Sequence, residues 1–267
     1  KFCGGRYFTN EEDLLKTKEI DAVYISTPVN MHYKQVLLAA KYGKHVLCEK
    51  PLAMKISECE KMIEVCRKNG LKLGVGLMMR FHSCHVKIKE LVDSGILGKP
   101  VFGRAQLSCW YPKIKGAWRQ DIKTGGGGSL IDMGSHCIDL LEIFFGKTAE
   151  VASLQNSLVQ NYGVEDTSVV ALKFKSGAVA SVDNLFNVPD EASENRLEVY
   201  GSAGSAFAAG TIGQSPAGKI TLTASEQKGY SAKQDRKISG TVLVPKPLNM
   251  YKAEIESFSD SILKNKT

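Results

Sequence analysis

The sequence predicts an α/β chain in two parts, a parallel sheet first and a mostly antiparallel sheet second. Three observations carry this. Short apolar runs alternate with helical patterns up to about residue 77, with no hairpin signal between them. After Gly146 the texture changes to consecutive strand-like runs joined by short turns. Between the two lies one helix-like stretch, Gly125 to Gly146, with polar residues against an apolar face. Strands that are apolar on both faces and alternate with helices belong to parallel sheets, and consecutive strands with tight turns to antiparallel ones. The boundary is expected near Phe81–His85.

In the first part, Asp13-Leu-Leu15 closes a short helix. Asp21 to Thr27 reads as a strand, β-branched and aromatic, stopped by Pro28. Asn30 is a candidate cap for a helix running to about Gly43, with Val36, Leu37 and Ala40 inside. His45 to Cys48 is a second strand. Ser57-Glu-Cys-Glu60 has the form of a capping box, and its helix ends near Gly70. Lys72 to Leu77 is a third strand.

In the second part, Pro100 to Trp110 is a strand that leads into a basic, aromatic loop with Tyr111, Trp118 and Arg119. The runs 151–158, 167–175, 178–187, 196–200, 219–223 and 237–244 read as strands, and Lys175-Ser-Gly177 is a tight turn between two of them. One face of this sheet must pack on a helix. The other carries the mixed set Val169, Ala171, Val179 and Ser181, which suggests a partner subunit. Tyr251, Ile255, Phe258 and Ile262 mark a last amphipathic helix.

Composition bounds the function. The chain has 267 residues, 43% hydrophobic and 24% charged, which is globular in character. No run of about 18 apolar residues exists to span a membrane, and no secretory leader is visible. The net charge of +7 is spread along the chain, with a modest cluster at Lys113, Lys115, Arg119 and Lys123. No aromatic-interleaved basic stripe suggests a nucleic-acid partner. The seven cysteines are odd in number and form no C-x-x-C; Cys48, Cys59, Cys66 and Cys137 sit at apolar positions, as small buried hydrophobes of a reducing, cytoplasmic compartment do. His82-Ser-Cys-His85 lacks the further ligands of a zinc site, so no metal is expected.

Two regions invite a chemical reading. In parallel α/β sheets, ligands bind beyond the carboxyl ends of the strands. Three polar groups stand there: Thr27-Pro28-Val-Asn30-Met-His32, Glu49-Lys50-Pro51 and Met79-Arg80-Phe81. Turn chemistry accounts for Thr27, Pro28 and Asn30, but a lysine between glutamate and proline at the end of a buried strand asks for more. The second region is Gly125–Gly146. Leu130, Cys137, Leu140, Leu141 and Phe144 recur at helical spacing. Asp132 and His136, four apart, fall on one side, with Asp139 three further on. The four glycines ahead of them leave bare backbone where a ligand could come close.

The series TPVNMH, HVLCEKP, MMRF and GGGGSLIDMGSH resembles the glucose-fructose oxidoreductase / inositol dehydrogenase (Gfo/Idh/MocA) family along essentially the whole chain. The resemblance implies an incomplete Rossmann-type parallel sheet domain over 1–82 and an α/β domain with a large, mostly antiparallel open sheet over 83–267. It implies an NAD- or NADP-dependent enzyme acting on a sugar, cyclitol or related polyol, and a homodimer or homotetramer formed through the second sheet. By position, Lys50, Asp132 and His136 match the family's catalytic trio. Thr27, Pro28, Asn30, His32, Glu49, Lys50 and Arg80 match its cofactor edge, and Trp118-Arg119 a pair that touches cofactor or substrate. The G-x-G-x-x-G phosphate fingerprint, the first βαβ unit and the residue that separates NAD from NADP would stand about 50 residues ahead of Lys1. The glycines of 201–210 open no helix and do not replace them.

Two other activities remain open at this point: an NAD-dependent glycosidase of the same fold, and a sensor of sugars or dinucleotides without catalysis. For hydride transfer, a base must take the hydroxyl proton as hydride leaves. His136 suits that role because an imidazole titrates near neutrality. Lys50 would hydrogen-bond the reacting oxygen, and Asp132 would orient the ring or bind a neighbouring hydroxyl. The Lys50–Pro51 bond is expected to be cis.

Overall fold

The computed structural model describes residues 5–225, 229, 230, 232 and 240–265. Cys3 and the start of the expected strand at 237 lie outside them. The chain divides into two compact units, residues 1–76 with 255–267, and residues 77–254. The division falls a few residues before the expected one, and the end of the last helix groups with the first unit.

The first unit contains α1 (Glu11–Leu15), β1 (Ala22–Ile25), α2 (Val29–Lys41), β2 (His45–Glu49), α3 (Ile56–Lys68) and β3 (Leu73–Gly76). The strands are parallel, in the order β1-β2-β3. Val36, Ala39, Ala40, Val46, Cys48, Met62 and Cys66 form its core. Asn10 caps α1 by accepting from the Glu12 and Asp13 amides. The two other expected caps are corrected. Pro28, not Asn30, stands at the cap of α2, and Asn30 lies inside the first turn; a proline at a helix start costs nothing, because the amide it lacks would have no partner there. Helix α3 begins at Ile56 after an extended Lys55, so Ser57 is already helical and the capping box does not form.

The second unit contains α4 (Ser83–Asp93), β4 (Pro100–Ser108), α5 (Ile122–Gly125), α6 (Ser135–Phe145), β5 (Thr148–Asn156), β6 (Thr167–Phe174), β7 (Val179–Leu185), β8 (Arg196–Gly201), β9 (Gly204–Ala209), β10 (Lys219–Ala224), β11 (Thr241–Leu243) and the start of α7 (Met250–Leu263). The eight strands lie in the order β11-β10-β9-β8-β4-β7-β6-β5. All pairs are antiparallel except β4 with β7. Strand β9 is absent from the sequence reading, because glycine and alanine are poor strand formers. Its alternation is nonetheless real, with Ala206 and Ala208 buried on one face.

One face of the sheet carries the core, with α6 close upon it. A Cβ on Gly103 of β4 would meet Phe145 at 2.5 Å and Leu141 at 2.8 Å, so only glycine lets α6 lie this near. The opposite face exposes Val169 and Val179, and the edge strand β5 exposes Val151 and Leu154. The single helix expected over 125–146 is corrected. Helix α5 ends at Gly125, with Gly126 at φ +81°, then a π-helical turn spans Leu130–Gly134, and α6 follows.

Candidate active site

The first unit places its polar residues on two turns. The turn after β1 carries Thr27, whose hydroxyl donates to Gln35 Oε1 at 2.6 Å. His32, in the first turn of α2, is buried, with Nδ1 3.0 Å from the Pro51 carbonyl and Nε2 2.9 Å from the Thr27 carbonyl. The turn after β2 carries Glu49, Lys50 and Pro51, and the Lys50–Pro51 bond is cis. The Glu49 carboxylate accepts from the Tyr24 hydroxyl and from the Lys50 amide. Sequence reading missed Tyr24 and Gln35, whose partners become neighbours only once the strands pair. A cavity of about 250 Å³ is lined by Leu14, Tyr24, Ser26, Thr27 and Gln35, among others. No glycine-rich turn joining a strand to a helix, of the kind that cradles a dinucleotide's phosphates, is present among the described residues of the first unit.

In the second unit, Asp132 lies in the π-helical turn and His136 in the first turn of α6, where it is buried. π-Turns recur at functional sites because the wider turn re-aims a side chain. Arg119 Nε donates to Asp132 Oδ1 at 3.1 Å, and its guanidinium stacks on the Trp118 ring at 4.3 Å. The loop holding Arg119 is braced by Gln120, which donates to the Pro112 carbonyl and accepts from the Ile114 amide. Thr124 Oγ1 donates to the Trp118 carbonyl at 2.8 Å. Burial pushes the Tyr111 phenol up, and a hydrogen bond with Arg119 works the other way.

The glycine run serves this packing rather than a ligand's approach, which corrects the sequence reading. A Cβ on Gly125 would sit 2.9 Å from the Trp118 carbonyl oxygen, and one on Gly128 only 1.9 Å from the Glu165 carbonyl oxygen. Glu165 closes the start of the helix. Its carboxylate accepts from the Gly128 and Leu130 amides at 2.8 and 3.0 Å, and its carbonyl from the Ser129 amide at 3.1 Å. No local pattern points to a cap 35 residues downstream of Leu130. Asp139, expected beside Asp132 and His136, instead pairs with Arg80 through both carboxylate oxygens. That hydrogen bond is the main cause raising the Arg80 pKa. Arg80 is thus committed to bracing α6.

Burial raises the thiol pKa of the described cysteines. Burial pushes Cys48 and Cys137 up to about 12 and Cys109 up to about 11. Cys59 is half-buried rather than buried. His85 has Nδ1 2.8 Å from the Met79 carbonyl and Nε2 3.1 Å from Thr211 Oγ1, and its ring stacks near His82. Among the described residues no group of three or more His, Cys, Asp or Glu could hold a metal, and no helix is long and apolar enough to cross a membrane.

A parallel α/β unit with polar strand ends, followed by a broad open sheet, defines a two-domain α/β architecture. Residues 1–77 match the oxidoreductase family with an NAD-binding Rossmann fold, and residues 85–207 match the GFO/IDH/MocA C-terminal domain. The chain is 30% identical over 261 residues to the 1,5-anhydro-D-fructose reductase of Ensifer adhaerens, covering 97% of this chain and 74% of the relative. It is 32% identical over 206 residues to the myo-inositol 2-dehydrogenase of Thermotoga maritima, covering 75% of this chain and 60% of the relative. Among solved structures it is similar to the aldose-aldose oxidoreductase of Caulobacter crescentus complexed with glycerol, with a TM-score of 0.82, 26% identity, and 96% of this chain and 72% of that one covered. The chain belongs to the Gfo/Idh/MocA oxidoreductase family, and its first unit is of the NAD-binding Rossmann class.

Proposed function

We propose that this protein transfers a hydride between NAD or NADP and a secondary alcohol or ketone of a sugar, cyclitol or related polyol. The observation that carries the reading is the Asp132–His136 segment: a carboxylate paired with Arg119 and a buried imidazole on adjoining π and α turns, in a chain that also keeps Lys50 at its strand end. The activities for which the relatives are named, on an anhydro-sugar and on a cyclitol, support the substrate class.

When bound, the nicotinamide accepts or returns the hydride. Lys50 hydrogen-bonds the reacting oxygen. His136 takes the hydroxyl proton on oxidation and gives it back on reduction. Asp132 orients the imidazole or binds a neighbouring hydroxyl. Thr27, Pro28, Asn30, Glu49 and Lys50 are the first unit's candidate contacts to the cofactor, and Trp118 and Arg119 the second unit's; buried His32 braces the first unit's turns and Arg80 braces α6. The test is growth of reduced-cofactor absorbance with inositols and aldoses, for the protein and its His136→Asn variant. Turnover abolished by the substitution supports the reading; equal turnover, or none with any polyol, overturns it.

The exposed sheet face, with Leu154, Val169 and Val179, supports self-association into a homodimer or homotetramer. Light scattering showing a monomer at micromolar concentration would count against it. The unpaired cysteines suit a reducing, cytoplasmic setting.

A further inference from the structure

His32 is 1% exposed, so it presents no surface to a cofactor. Each of its ring nitrogens faces a backbone carbonyl, Pro51 at 3.0 Å and Thr27 at 2.9 Å. These carbonyls belong to two different turns. One follows β1 and carries Thr27 and Pro28; the other follows β2 and carries Glu49, Lys50 and Pro51. The contacts therefore span 19 residues in one direction and 5 in the other. Both partners are acceptors only, so the ring must donate. A neutral imidazole carries one N–H and serves one carbonyl at a time, and the protonated ring serves both.

We propose that His32 is a positioning residue that ties the turn after β1 to the turn after β2 and so fixes where Lys50 leaves the sheet. The inference rests on the proposed role of Lys50 for its kinetic part alone. Parallel strands share a sheet through their ladder, but the β1–β2 ladder ends at Ile25 and Cys48, before either turn. A buried donor between two otherwise separate carbonyls couples them. A buried polar group without partners would be costly, so the ring and both turns favour the same arrangement. Glu49 adds a second tie on the same turn by accepting from its neighbour's amide and from Tyr24.

The test compares wild type with His32→Gln, which keeps one donor, and His32→Phe, which keeps the volume and none. Proton–nitrogen spectra of wild type should show a slowly exchanging ring N–H from His32. Hydrogen exchange in peptides covering 26–33 and 49–54 should quicken about five- to tenfold in His32→Phe, the size expected for about one lost hydrogen bond, and less in His32→Gln, with β1 and β2 unchanged. In steady state, His32→Phe should lower kcat with Lys50 present and add nothing in a Lys50→Met background. Absence of the ring N–H signal, exchange that rises evenly through the first unit, or additive losses with Lys50→Met would each overturn the proposal. If wild type turns over no polyol, the functional reading fails while the spectrum and exchange still decide the clamp. If His32→Phe does not fold, the wild-type spectrum and His32→Gln decide it.

Discussion

The two units hold their polar residues by different means. In the first, buried side chains lean on the main chain: His32 on the Thr27 and Pro51 carbonyls, and Lys44 on the Thr17 and Ile20 carbonyls at 3.0 and 2.7 Å. In the second, the helix start is held by carboxylates: Glu165 on the Gly128 and Leu130 amides, Asp132 on Arg119 and Asp139 on Arg80. Carbonyl partners keep their strength as salt rises. Ion pairs at half-exposed positions weaken with it. At these positions the first unit sets geometry by backbone, and the second unit's helix start sets it by charge.

The largest expected effect separates chemistry from orientation. His136→Asn should lower kcat about 10²–10⁴-fold, the range of a general acid–base, with cofactor affinity nearly unchanged. Lys50→Met should lower kcat and raise KM together. A pH–rate profile of polyol oxidation checks this. If the limb near neutral pH survives in His136→Asn and vanishes in Lys50→Met, the two units exchange roles.

Next is Gly128→Ala. Its new methyl would lie 1.9 Å from the Glu165 carbonyl oxygen, a backbone atom that cannot rotate away. Overpacking of this kind costs about 1–3 kcal/mol, and the top of that range is expected here. Urea unfolding followed by probes in each unit should show the loss in the second unit. An unchanged midpoint there would mean that the helix start is looser than its hydrogen bonds indicate.

Arg119→Met tests charge directly. A hydrogen bond between charged groups is worth about 1.5–3 kcal/mol, discounted here because the Arg119 side chain is 42% exposed. The expected loss in kcat/KM is about tenfold, partly restored in Arg119→Lys and smaller at high salt. A loss equal at all salt concentrations would assign Arg119 a packing role on Trp118 instead.

The same contrast explains what the sequence disclosed. Alternation of strand and helix and the cis Lys50–Pro51 bond were legible because each is written in neighbouring residues. Strand β9 was not, since Ala206 and Ala208 gain their fit from β8 and β10 rather than from propensity. The π turn was not, because residue spacing cannot distinguish it from α-helix within one turn. Glu165 was invisible, and without it the glycine run reads as a ligand cradle. The backbone partners of His32 were equally hidden, so a histidine beside Thr27 and Pro28 reads as a cofactor contact until its burial is seen.

The smallest expected effect concerns acid. His85 is buried against Met79 and Thr211, and burial pushes its pKa down to about 3 from an ordinary value near 6.5. A histidine depressed in the folded state binds fewer protons than in the unfolded chain between those values. Stability from this group is therefore fully present above about pH 6.5 and falls as the pH drops toward about 3. At pH 6 the share lost is about 1 kcal/mol. His82 is lowered by burial too and acts in the same direction, so it is kept in both proteins compared. Urea midpoints of wild type and His85→Gln, measured at pH 7.5 and pH 6 for a probe in the second unit, isolate the His85 share. The substitution keeps a donor and an acceptor for Met79 and Thr211 and removes the titration. Wild type should lose more stability than the variant between the two pH values. Equal losses would show that the acid sensitivity of the second unit does not lie in this buried ring.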